Sequence, residues 1–201
     1  MTEEIQFEIG IPESLRHDAA KLYDEAFGEK FSVAIRDKKK RLQLLSESLL
    51  LPFAVAAIAN GKLAGIAGFH TPQGSLTNGI TTKQLFHHLG LLRGVWAALI
   101  FSLYARQTKQ LELLMDGIAV THEFRGHGIG TALLDELKRY ARENEISHIR
   151  LDVIDTNPAA RRLYERQGFT ATHTESFSYL RWLLGFGAAT TMVFRVVQKP
   201  E

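Results

Sequence analysis

Apolar and polar positions alternate at Ile5, Phe7 and Ile9, the period of a half-buried strand. From Pro12 the period changes: Leu15, Ala19, Leu22 and Ala26 share one helical face, and Gly28 is expected to stop that helix. A second helix is expected over 33–50, with Leu42, Leu45 and Leu49 buried. Segments 53–59 and 62–70 read as apolar strands joined by Asn60-Gly61, a strong hairpin signal because both turn positions need positive φ. Residues 73–110 then interrupt the run of strands. Leu85, Leu89, Leu92, Trp96, Leu99 and Leu103 recur there at spacings of four and three, which predicts amphipathic helix whose apolar stripe is buried, with Gly90 and Gly94 as candidate breaks.

Strand character returns at 111–120, followed by a helix over 128–143 that buries Leu133, Leu134, Leu137 and Tyr140. A strand at 148–154, a helix at 158–167 and strands at 169–177 and 190–197 close the chain. The order β-α-α-β-β-β-α-β-α-β-β predicts an α/β fold, a mixed sheet flanked by helices, in a single domain over 1–201 with a helical insertion at about 73–110. The composition changes little. With 45% hydrophobic and 23% charged residues, the chain has the make-up of an ordinary soluble domain. A formal net charge of +2 gives no electrostatic case for nucleic acid or a membrane. The basic run 36–41 reads as a solvated helix face, since no aromatic residue interleaves it. The absence of cysteine excludes disulfides, a thiolate nucleophile and cysteine-based metal sites, and it agrees with a reducing cytoplasm. The acidic N-terminus shows no signal peptide, and the apolar stretch 95–103 is too short to span a bilayer.

The chemistry lies in Val120-Thr121-His122-Glu123-Phe124-Arg125-Gly126-His127-Gly128-Ile129-Gly130-Thr131, between a strand and a helix. The first amides of a helix lack intrahelical partners and carry partial positive charge, so they attract anions. Glycine lets a diphosphate approach the backbone, and Arg125 adds a cation at the mouth of the loop. Spacing disposes of three rivals. A dinucleotide fingerprint fails because Gly126 and Gly128 lead to Thr131, and a P-loop fails because Thr131 follows Gly130 directly. His122-Glu123 with His127 has its second histidine one residue too late for zinc, so no metal is expected.

Arg125, Gly128 and Gly130 spell Arg-x-x-Gly-x-Gly, and here the sequence resembles the GNAT superfamily of acyl-CoA N-acyltransferases. A second signature of that family, Asn-x-x-Ala-x-x-Leu-Tyr-x-x-x-Gly-Phe, is matched from Asn157 to Phe169. The close match covers about 111–169. It implies a mostly antiparallel sheet whose fourth and fifth strands splay to admit the pantetheine arm of acetyl-CoA. Backbone groups of Ile118 and Val120 then face the pantetheine and the thioester carbonyl, and amides of Gly126, His127, Gly128, Ile129, Gly130 and Thr131 hold the pyrophosphate. Asn157 contacts the pantetheine, and Tyr164 stands near the sulfur as general acid. Asn157 also reads as a helix N-cap before Pro158, Gly168 as a helix stop, and Tyr164 alternatively as a packed tyrosine with its hydroxyl on backbone.

The base is left among three carboxylates. Asp152 lies where the ribosomal-protein alanine N-acetyltransferases carry a glutamate, five residues before the asparagine, but is one methylene shorter. Glu112 and Asp116 share a face of the fourth strand by period two. The family's other base position, two residues before Asp116, is Leu114 and cannot serve. The implied activity is acetyl transfer from acetyl-CoA to a primary amine on a small molecule or peptide. The insert is expected on the acceptor side, with acceptor choice sensitive to Trp96 and Leu99. The aromatic segment 177–186 reads as an acceptor lid or as a packing or dimer surface. The alternatives are a non-catalytic acyl-CoA sensor and a membrane-touching interaction module.

Overall fold

In the computed structural model, which describes residues 4–103, 108–178, 181 and 185–197, the N-terminal alternation forms β1 (Ile5–Ile9). It pairs antiparallel with β2 (Ala54–Ala59). The Asn60-Gly61 turn has φ of 50° and 73° and joins β2 to β3 (Lys62–Thr71), as the hairpin signal predicts. The sheet continues through β5 (Glu112–Val120), β6 (His148–Ile154), β8 (Ala188–Arg195) and β7 (Thr170–Ser176), while the two-residue β4 (Gly74–Ser75) pairs with β3. Every pairing is antiparallel except β5 with β6. Helices α5 (Ile129–Glu143) and α6 (Pro158–Arg166) cover one face through Leu133, Leu134, Leu137 and Tyr164. Helices α1 (Arg16–Ser32) and α2 (Lys38–Ser48) cover the other through Leu22, Tyr23, Leu45 and Leu49.

Gly28 does not stop α1. A Cβ there would lie 2.9 Å from Asp24 Oδ1 and 3.5 Å from Arg41 Nη2. The glycine clears space for the buried Asp24–Arg41 ion pair, in which Arg41 also donates to Ile35 O at 2.8 Å. The helix tolerates a propensity cost of about 1 kcal/mol because tertiary packing requires the gap. Arg41 is thus the exception within an otherwise solvated basic run. Helix α2 begins later than its apolar spacing predicts because Asp37 caps it, accepting from Lys39 N at 2.9 Å and Lys40 N at 3.2 Å. Leu44, Leu45 and Leu49 are buried, whereas Leu42 is half-buried.

The insert folds as β4, α3 (Thr82–Leu89) and α4 (Leu91–Leu103), with Gly90 between the helices. Gly94 breaks nothing: its missing Cβ, 2.4 Å from Phe86 Cδ1, lets α4 lie close against α3. The expected stripe is buried in α3 only. Leu85, Ala97 and Ile100 join Ile35 and Leu44 in a cluster against α2, while Leu92 is 86% exposed and Trp96 47% exposed. Gly90 rotates α4 against α3, so a period running through both helices does not mark one common face. The side chain of Leu103 and residues 104–107 lie outside the described residues, as do 179, 180 and 182–184 of the aromatic segment 177–186.

Candidate active site

The site opens where β5 and β6 part. They pair in parallel from Glu112–His148 to Met115–Leu151 and no further. Beyond Leu151, β6 continues only with β8, from Asp152–Thr191 to Ile154–Ala189. On its other side, β5 pairs with β3 at Gly68–Gly117 and Phe69–Met115, which leaves Asp116 as the extra residue of a β-bulge. The splayed strands therefore enclose a slot of about 120 Å³ bordered by Ile118, Asp152, Asn157 and Tyr164. Phe27 reaches it from α1, and only glycine at 117 permits that approach, since a Cβ there would be 2.6 Å from Phe27 Cζ.

A larger cavity of about 340 Å³ lies on the α1 side and shares Phe27, Met115, Asp116, Asp152 and Ile154 with the slot. Its walls are Tyr23, Phe27 and Phe31 of α1, Phe101 of the insert and Phe186, and its floor carries His70, Asp116 and Asp152. His70 Nε2 bonds Asp116 Oδ1, while Asp116 Oδ2 is buried and has no hydrogen-bond partner among the described residues. A buried carboxylate oxygen left unsatisfied costs about 1–3 kcal/mol, which marks it as an acceptor for something brought in. Asp152 accepts from Thr191 Oγ1 at 2.6 Å. Burial, and then the charge of Asp116, raise the pKa of Tyr23 well above the ordinary phenol range, so Tyr23 stays neutral.

Tyr164 is 7% exposed and its ring packs on Phe169 at 5.9 Å between centroids. Its hydroxyl bonds no protein group among the described residues, and the residue lines the slot, so a hydroxyl tied to backbone is not what the structure has. Burial pushes its pKa up to about 12. Asn157 caps α6, its Oδ1 accepting from Ala160 N at 3.1 Å. Gly168, at φ 84°, ends that helix as expected.

Past Val120 the chain turns into the glycine-rich loop. Gly128 caps α5 in the left-handed region at φ 79°, and no side chain caps that end. The amides from Gly126 to Thr131 donate to no protein acceptor among the described residues. Arg125 Nε donates to Val120 O at 3.1 Å and His127 Nδ1 lies 3.0 Å from Arg125 O, which fixes the loop while its amides stay open.

The structure thus brings Asp116, Asp152, Ile118, Asn157 and Tyr164 together, while Val120 and residues 125–131 lie at the outer end of β5. Glu112 is not brought to the site. It shares the strand face of Asp116, but four residues along an extended strand place it about 13 Å away. There it is buried with Arg150 at 3.1 Å and His148 at 3.3 Å. Trp96 and Leu99 are exposed and line neither cavity; Thr77, Asn78, Ile80 and Phe101 are the insert residues that line the larger one. His70 and Tyr23 escape a reading by motif. The signals available were the repeat of aromatics at 23, 27 and 31 and a lone polar residue ending an apolar strand.

Among the described residues no group of three acidic, histidine or cysteine side chains is placed to hold a metal, and no helix is long and apolar enough to cross a membrane. The chain matches the acetyltransferase (GNAT) family over residues 13–169. No curated protein matches it. Among solved structures it is similar to an N-acetyltransferase from Staphylococcus aureus Mu50, with 18% identity, a TM-score of 0.65 and coverage of 94% of this chain and 100% of the other. It is also similar to the ribosomal-protein-S18-alanine N-acetyltransferase from Escherichia coli, with 16% identity, a TM-score of 0.57 and coverage of 98% and 97%. A protein from Salmonella typhimurium described as an acetyltransferase, and solved with its cofactor acetyl-CoA, gives 16% identity, a TM-score of 0.60 and coverage of 98% and 96%. At such identities the likeness establishes the fold.

Proposed function

The chain belongs to the acetyltransferase (GNAT) family, and from that membership we propose direct acetyl transfer from acetyl-CoA to a primary amine held in the larger cavity. One observation carries the proposal: slot and cavity meet at Asp116 and Asp152, so a group in one reaches a group in the other. When bound, acetyl-CoA supplies an acetyl group activated as a thioester. The residues present suit it. Open amides from Gly126 to Thr131 at the positive end of α5 are assigned to the pyrophosphate, with Arg125 as the neighbouring cation. Ile118 and Val120, on the half of β5 without a β6 partner, are assigned to the pantetheine and the thioester carbonyl. Asn157, its Oδ1 engaged in the cap, keeps its amide for the pantetheine.

A primary alkyl amine has a pKa near ~10 and arrives mostly as ammonium, so a proton must leave before nitrogen can attack. Asp116 Oδ2 is the unpartnered acceptor on the cavity floor, and His70 holds the other oxygen in place. We assign the amine's proton to this pair, with Asp152 as second carboxylate. Tyr164 donates the proton that the departing sulfur requires; its high pKa keeps that proton in place until the C–S bond breaks. Proton count closes: the ammonium nitrogen gives up one proton before attack and a second as the amide forms, the departing sulfur takes one, and the other leaves to solvent by way of the Asp116–His70 pair. We read 1–201 as one domain because a single sheet runs from β1 to β7, and a chain without cysteine suits the cytoplasm. The test is acetyl-CoA turnover against a panel of amines, read as free thiol and as acetylated product by mass. Acetyl-CoA binding with no thiol above the hydrolysis blank for any amine would instead make this chain a sensor.

A further inference from the structure

Resting on the transferase reading, we propose that the acceptor is a small monoamine whose amino group sits on an apolar, aromatic-bearing body. Charge comes first. The cavity floor presents Asp116 and Asp152, and among the described residues neither lysine nor arginine lines the cavity. Asp116 Oδ2 is buried and has no hydrogen-bond partner among the described residues, so the occupant brings the positive charge and the hydrogen-bond donor. One such charge is accommodated. Away from the floor the walls turn aromatic: Tyr23 and Phe31 lie 5.9 Å apart edge to face, and Phe31 and Phe101 5.3 Å apart in the same manner. Tilted rings of this kind offer faces and edges to another ring. A second ammonium, or the hydroxyls of a sugar, would be stripped of water against Phe31, Phe101 and Phe186, where Tyr23, Thr77 and Asn78 are the neutral polar residues among the described lining. At about 340 Å³ the cavity is at the small end of ligand pockets. Together these features select an aralkyl monoamine over polyamines, aminoglycosides and peptide N-termini.

The test compares 2-phenylethylamine with putrescine, kanamycin and an alanine-initiated tripeptide. It measures thiol release in acetyl-CoA and, separately, amine binding by calorimetry in the presence of coenzyme A. Phenylethylamine should lead the panel in kcat/KM by about tenfold or more. Phe31→Leu and Phe31→Ala, each checked for folding, should raise its KM in that order while the KM for acetyl-CoA stays unchanged. Equal or better turnover of putrescine, kanamycin or the peptide overturns the acceptor assignment and leaves the transferase reading standing. Phenylethylamine that binds, weakens with the Phe31 variants and yet gives no thiol overturns transfer and supports the pocket assignment. Phenylethylamine that neither binds nor reacts overturns the assignment outright.

Discussion

Replacing Tyr164 with phenylalanine separates chemistry from packing because of what the hydroxyl does not do. The ring is 7% exposed and packs on Phe169, and Phe keeps that contact. The hydroxyl bonds no protein group among the described residues, so its removal breaks no hydrogen bond to them and opens no cavity larger than one oxygen. Stability near neutral pH should therefore change by no more than about 0.5 kcal/mol. Catalysis should not be spared. Loss of a positioned general acid costs about 10²–10⁴ in rate, or roughly 3–5 kcal/mol of barrier. Single-turnover thiol release measures the chemical step, and calorimetry should find acetyl-CoA affinity unchanged. The alkaline limb supplies a second readout. Burial holds the folded pKa at about 12, against about 10 in the unfolded chain. Between those values the unfolded state ionises first, so the wild-type protein loses stability as pH rises, by up to about 2–3 kcal/mol. The phenylalanine variant lacks that loss. An unchanged kcat with chemistry rate-limiting returns Tyr164 to packing, and a fall in acetyl-CoA affinity equal to the fall in rate assigns it to binding.

Gly130→Ala should be accepted, since the new Cβ lies 3.6 Å from Leu163; melting should show up to about 1 kcal/mol of added stability and unchanged coenzyme affinity. Gly128→Val should abolish coenzyme binding but also lower stability by about 1–3 kcal/mol, because valine at φ 79° is strained; a fully stable Gly128→Val that binds acetyl-CoA contradicts the pyrophosphate site. Glu112→Gln should lower thermal stability by breaking its buried pairs with Arg150 and His148 while leaving kcat of the folded fraction unchanged, and a selective loss of kcat would restore it as a base candidate.

What could be read from the sequence follows from where the determinants lie. Asn60-Gly61, the α5 stripe and the α6 cap at Asn157 are local, and the structure has them where the residues predict. Gly28 looked like a stop because its reason, the Asp24–Arg41 pair, joins two helices. The buried face of α4 departs from the stripe because Gly90 separates it from α3, and β4 is too short to leave a period. The amide cradle was legible as a motif. Its partner, the His70–Asp116 pair, was not: it spans 46 residues and depends on a bulge that no alternation of residue types reveals. Tyr23, Phe27 and Phe31 recur every four residues, but the aliphatic face of α1 forms the stronger stripe in the sequence.

A crystal structure with coenzyme A decides whether this site holds the coenzyme. Pyrophosphate oxygens are expected on the amides of Gly126 to Thr131, pantetheine between the parted ends of β5 and β6, and the sulfur within hydrogen-bond reach of the Tyr164 hydroxyl, at the edge of the cavity floored by Asp116. A pyrophosphate held by residues of the insert, or a sulfur directed away from both Tyr164 and Asp116, would contradict that placement.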